Sequence, residues 1–277
     1  MEHTLAQNPL EGNGRIVTAD SIHWLAGLGT GLCGGFLAGL FGVGGGLVMV
    51  PLLGLILNLD QHRAQGATLA AMLLPTGLPA VLQYRRRGVA SSLPLVGVLI
   101  LAFLFGIYGG ALVANRIPSG PMRWGYAAFL VFLAVRTFLR QEPAGMDREA
   151  QPFDLSGLWT WGLPIGFLAG VVSGLTGLGG AVVVVPLLAS RFRMTQHEAQ
   201  LASLMMMLPP IGLPGVYVYA QAQGGLPWMV ILGVTLGFAA GALGGARVAT
   251  RTPGVKLKQV YAGLVLLMAL LVALRGH

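Results

Sequence analysis

Thr68 and Ser203 are hydroxyl residues set in apolar surroundings 135 positions apart, and each stands in the same local frame. A histidine lies six residues earlier (His62, His197) and a glutamine three residues earlier (Gln65, Gln200). At about 100° per residue, His62, Gln65, Thr68, Met72 and Thr76 share one face of a helix. His197, Gln200, Ser203 and Met207 repeat that stripe, and Ile211 ends it. The same offset relates Gly44 and Gly45 to Gly179 and Gly180, inside two glycine clusters that each run into a proline, Pro51 and Pro186. A glycine cluster between apolar runs stops one helix, turns where a Cβ would not fit, and starts another. The new helix N-terminus presents backbone N–H groups and the positive end of its dipole. Hydroxyls, amides and such N–H groups together can hold an anion through partial charges, which also lets it leave, and His62 and His197 are expected at the mouths of the solute pathway. The competing readings are that Ser and Thr bond their own helix backbone, and that small residues only let helices approach.

Those stripes need elements to carry them. Asp60 and Thr195 are preferred N-cap types, and Thr195-Gln196-His197-Glu198 is a capping-box pattern. Thr68 and Ser203 then lie about eight residues beyond the caps, roughly 12 Å along the axis. Further on come Pro75, Gly77 and Pro79, matched by Pro210, Gly212 and Pro214. Proline deletes an intrahelical hydrogen bond, so these helices are expected to kink or break, freeing carbonyls such as that of Ala71 and providing a hinge or gate.

The medium follows from composition. Of 277 residues, 55% are hydrophobic and only 9% are charged, where soluble domains carry about 25% charged. Mean hydropathy is +0.75. Runs of roughly 20 apolar residues make this an all-α, polytopic integral membrane protein. Its 43 glycines and 16 prolines fit membrane helices rather than a disordered tract. The net charge of +8 is expected to set orientation, not to bind nucleic acid, because no soluble basic module exists. Every carboxylate falls in a tail, a loop or a helix start, which argues against a cation pump or a carboxylate proton relay. No enzyme, metal or cofactor motif is present, and lone Cys33 has no intrachain partner. Residues 1–20 lack the pattern of a cleavable signal peptide.

Five helical segments are expected in each half. In the first they cover 21–41, 44–58, 61–84, 92–114 and 121–140; in the second 158–176, 179–190, 196–219, 227–249 and 255–275. The offset of 135 persists from Gly39 to Arg140, so the chain reads as a tandem duplication. The expected organisation is a polar tail (1–20), repeat 1 (21–140), a polar linker (141–156) and repeat 2 (157–277). With an odd number of crossings per half, ten Lys and Arg fall on the linker side and five on the other. With an even number the split is seven and eight, so the positive-inside rule favours inverted repeats with a cytoplasmic linker.

The stretch from Ala38 through Gly46 into Val48-Met49-Val50-Pro51, then Ala64-Gln65-Gly66-Ala67-Thr68-Leu69 and Tyr84-Arg85-Arg86-Arg87-Gly88, resembles the TauE/SafE family. That resemblance, over about residues 21 to 275, implies export of sulfite or related small sulfur-containing or organic anions across the bacterial inner membrane. Here Ala67-Thr68 and Ala202-Ser203 stand where the family usually has Thr-Ser, which leaves room for a larger sulfonate. The expectation is a secondary transporter of such anions, embedded in lipid, without cofactor, with homodimerisation left open. Alternatives are a passive anion channel, a permease for small carboxylates, and a non-transporting membrane scaffold.

Overall fold

The computed structural model describes residues 9–41, 45–75, 77–86, 88–139, 157–192, 194–249 and 254–274. The linker at 141–156 lies outside them. The described residues are helical and contain no strand. The first half holds α1 (Pro9–Phe41), α2 (Gly46–Leu57), α3 (Gln61–Ala71), α4 (Leu78–Arg86), α5 (Leu93–Arg116) and α6 (Ser119–Leu139). The second holds α7 (Leu158–Thr176), α8 (Ala181–Arg191), α9 (Gln196–Met206), α10 (Leu213–Ala222), α11 (Trp228–Ala249) and α12 (Gly254–Leu274).

Two boundaries differ from the sequence reading. The first helix starts at Pro9, a residue suited to a helix start, so residues 9–20 are helical rather than a tail. The third segment of each half is two helices. After α3 the Met72 N–H turns back to Thr68 O and Leu73 N–H to Ala70 O, and α4 restarts with Leu78 N–H on Pro75 O. After α9, Met207 N–H bonds Ser203 O, and α10 restarts with Leu213 N–H on Pro210 O. Pro79 and Pro214 sit in the first turns of α4 and α10, where the missing N–H is not needed. The prolines therefore end one helix and begin the next.

Among the described residues, three helices are long and apolar enough to cross a membrane: Leu93–Arg116, Leu158–Thr176 and Trp228–Gly245. Large apolar side chains point outward along them; Phe105 is 74% exposed and Trp159 63%, a surface that lipid covers. α2 and α8, with 12 and 11 residues, are too short to span, since about 20 are needed.

What holds α1 to α11 and α5 to α7 is glycine at every fourth position. Gly27, Gly31 and Gly35 of α1 lie against Val230, Val234 and Phe238 of α11. From the other side, Gly233, Gly237, Gly241 and Gly245 lie against Trp24, Leu28, Leu32 and Phe36. Numbers rise together, so α1 and α11 run parallel. α5 and α7 do the same, with Gly106 and Gly110 on Phe167 and Val171, and Gly166, Gly170 and Gly174 on Leu99, Phe103 and Ile107. Lipid tails are as apolar as leucine, so backbone contact through small residues replaces the hydrophobic effect as the glue. α6 packs on α12, α3 on α10, and α4 on α9.

Candidate functional site

The second glycine turn follows the local rule read from sequence. α7 ends in a left-handed Gly177 (φ 72°) whose N–H bonds Ser173 O at 2.8 Å, and Gly179 is also left-handed (φ 77°). Gly180 is the N-cap of α8, and Gly45 is the N-cap of α2; neither helix has a side-chain cap. Gly44 lies outside the described residues.

The two turns touch each other. A methyl group built on Gly46 would lie 2.5 Å from Gly177 O, and one on Gly177 would lie 3.0 Å from Gln65 Cα. Met207 and Met72, the residues that end α9 and α3, both reach Gly179, their Cε atoms 2.6 and 3.4 Å from such a methyl. The broken ends of the two third-segment helices therefore converge on one glycine.

Thr68 and Ser203 stand one helical turn before Met72 and Met207, joined to them by the backbone bonds given above. They are 0% and 1% exposed, and neither hydroxyl has a hydrogen-bond partner among the described residues. This is not the habit of helical hydroxyls here. Thr30, Thr176, Ser190 and Thr235 all donate to carbonyls of their own helices at 2.6 to 3.1 Å. Burying a hydroxyl without a bond costs about 1–3 kcal/mol. Ser173, also buried and unpartnered, is a third such group. Sequence reasoning does not single it out because its counterpart 135 residues earlier is Ala38.

The glutamines are braced. Tyr219 Oη lies 2.9 Å from Gln65 Oε1 and 2.7 Å from Gly174 O. A phenol has one proton, so Tyr219 donates to one of these two acceptors at a time, and the Gln65 Nε2 has no partner among the described residues. Tyr84 Oη meets Gln200 Oε1 at 2.8 Å, the counterpart contact. Each tyrosine ends the broken helix of one half and holds the glutamine of the other. Tyr219→Phe is expected to strand the Gln65 amide and the Gly174 carbonyl, costing about 1–3 kcal/mol of stability, read as a lower melting temperature in detergent. Phe at this site with an unchanged melting temperature would mean that the relay contributes nothing.

The histidines diverge. His62 is buried and its Nε2 donates to Ile117 O at 2.9 Å, tying the start of α3 to the end of α5. His197 is exposed and tilts against Tyr84, with ring centroids 5.8 Å apart. Asp60 caps α3 through Arg63 N at 2.9 Å, and Thr195 with Glu198 forms the capping box on α9. The residues expected to hinge lie at the breaks: Pro75 and Pro210 are exposed, Gly77 and Gly212 half-buried. The freed Ala71 carbonyl faces Thr235 Oγ1 at 3.5 Å.

Phe103 and Phe238, absent from the sequence reading, cover the turns. A methyl on Gly180 would lie 2.5 Å from Phe103 Cε2, and one on Gly45 would collide with Phe238 Cε2. A shallow apolar groove lined by Ala102, Phe105, Leu163, Pro164 and Phe167 lies elsewhere, along α5 and α7. Chemically, the centre offers neutral donors under aromatic covers. Among the described residues no Lys or Arg is buried.

Known proteins are similar to this chain over most of its length. A "Probable membrane transporter protein YdhB" of Bacillus subtilis is 34% identical over 245 residues, covering 84% of this chain and 96% of its own length. A "Probable membrane transporter protein" of Haemophilus influenzae is 25% identical, covering 75% and 80%. One from Methanocaldococcus jannaschii is 23% identical, covering 69% and 70%. No solved structure matches. The model of the family described as "Sulfite exporter TauE/SafE" matches residues 27–272, and the chain belongs to that family of membrane transporters.

Proposed function

We propose that the protein is a secondary transporter that exports small sulfur-containing anions, sulfite or organosulfonates, across a bacterial inner membrane. The observation that carries this reading is the pair of buried, unpartnered hydroxyls of Thr68 and Ser203, one turn from the point where two broken helices and a glycine turn converge. The anion would take those hydroxyls and the N–H groups at Gly45, Gly179 and Gly180, with Gln65, Gln200, His62 and His197 bracing the third-segment helices. Pro75, Gly77, Pro79, Pro210, Gly212 and Pro214 would let them rock. Aromatic rings over both uncapped helix starts argue against an open pore, and so favour a carrier over a channel.

The repeats would be inverted. α3 and α10 run in opposite directions, because Gly66 meets Tyr219 whereas Gly212 meets Leu73. The end of α4 likewise meets the start of α9, through Tyr84 and Gln200. α3 and α4 together hold 11 and 9 residues, about 30 Å of helix, enough to cross the hydrocarbon. If each broken pair crosses, the two halves enter from opposite faces, as inverted-repeat carriers do.

A saturating ligand should raise the melting point of the purified protein, by about 2.7 kcal/mol of stability at a hundredfold excess over Kd. We expect sulfite or methanesulfonate to do this, and to accelerate counterflow when placed on the far side of proteoliposomes. Absence of both responses across sulfite, thiosulfate, sulfonates and small carboxylates would overturn the reading; flux without trans-stimulation would make the protein a channel.

A further inference from the structure

We infer that Phe103 and Phe238 are paired gate residues, whose rings occupy the approach to the glycine turns and must swing aside before an anion can reach them; the inference rests on the transport reading above. The two phenylalanines are 135 residues apart, as are the glycines they cover, Gly180 and Gly45. Both are buried, at 1% and 5% exposure. Each comes from the long helix zipped to the helix that precedes the covered turn. Phe103 is on α5, packed on α7, and Phe238 is on α11, packed on α1.

The zippers fix what can move. Gly170 lies against the Phe103 carbonyl and Gly35 against the Phe238 carbonyl. Each phenylalanine is therefore anchored at its backbone by glycine contact, and interiors packed this closely do not slide continuously. The side-chain torsions are the remaining freedom. The rings also close over helix N-termini that have no side-chain cap, whose first N–H groups lie outside the helical ladder. An apolar ring cannot pair with those donors, whereas an anion can. The closed arrangement leaves the buried hydroxyls of Thr68 and Ser203 without a partner among the described residues, groups that a ligand would satisfy. Met206 and Met207, flexible side chains, line the same turn at Gly180 and Gly179 and would have to yield for the rings to move.

The test uses Ala181→Cys, the first residue of α8 and 5% exposed, in the full chain with exposed Cys33 replaced by Ala. The probe is 2-sulfonatoethyl methanethiosulfonate, and the readout is the labelling rate. With Phe103 present we expect slow labelling. Phe103→Ala should speed it at least tenfold, Phe103→Leu by less, and methanesulfonate should slow it again. In proteoliposomes, Phe103→Ala should raise benzenesulfonate flux relative to methanesulfonate at least tenfold. Should Phe103→Ala fail to fold, Phe103→Leu carries the comparison. Labelling that is already fast beside Phe103, or unchanged in both variants while the melting temperature falls, overturns the gate and leaves Phe103 as packing. Faster labelling with no protection by any sulfonate upholds the gate and overturns the anion assignment instead.

Discussion

Replacing Thr68 with Val and Ser203 with Ala together is expected to abolish saturable anion binding while leaving the empty protein at least as stable. Each hydroxyl would donate to a charged ligand, a bond worth about 1.5–3 kcal/mol. Two such bonds amount to about 3–6 kcal/mol, or roughly two to four decades in affinity. Both side chains are buried and neither hydroxyl is partnered among the described residues, so deleting them removes an uncompensated desolvation. Val keeps the shape of Thr, and Ala leaves only the small gap of one oxygen. Ligand-dependent melting and proteoliposome counterflow check the first half, and the apo melting temperature checks the second. Full binding with a less stable fold would mean that the hydroxyls merely hold helices together. The scaffold alternative would then stand. The unusual feature of the prediction is its sign on stability, because a structural polar network loses stability when it is cut.

Gly166→Leu is expected to stop the protein from folding into its native packing. A methyl group at that position would already lie 2.7 Å from Leu99 O and 2.9 Å from Ala102 Cβ. The obstacle is backbone, which cannot turn aside as a side chain does. Overpacking costs about 1–3 kcal/mol where neighbours can yield, and here α5 and α7 must separate along their length, so we expect about 3 kcal/mol or more. Membrane helices have no hydrophobic drive to recover the contact elsewhere. Gly97→Leu on α5 is the control, since nothing lies within 4 Å of a methyl built there. It should express and elute as a single species in size-exclusion chromatography, where Gly166→Leu gives aggregate or none. Equal behaviour of the two variants would remove the zipper from the account of this fold.

Several features were legible before any tertiary contact was known, because they depend only on neighbours in the chain. The composition sets the medium. Pro75 and Pro79, like Pro210 and Pro214, are closely spaced pairs that interrupt the helical hydrogen bonds locally, and the breaks stand where those residues stand. Asp60 and Thr195 cap because a short oxygen sits three residues before a free N–H, and both caps formed. Gly177 and Gly179 take left-handed backbone, which only glycine does cheaply. The start of the first helix was not legible, because polar residues 9–20 carry no apolar period to extend it.

Only the tertiary structure decided which faces meet. In water, alternation of apolar and polar residues marks the inner face of a helix; in lipid both faces are apolar, and that mark disappears. The glycines at every fourth position show that a close contact exists, but α1 could as well have been zipped to α5 as to α11. Tyr219 on Gln65 and Tyr84 on Gln200 join opposite halves, so they follow from how the halves cross. The rings of Phe103 and Phe238 look like lipid-facing side chains in sequence, and become covers for Gly180 and Gly45 once α5 and α11 lock beside α7 and α1. Local chemistry wrote the turns and the breaks; packing without a hydrophobic direction chose what closes over them.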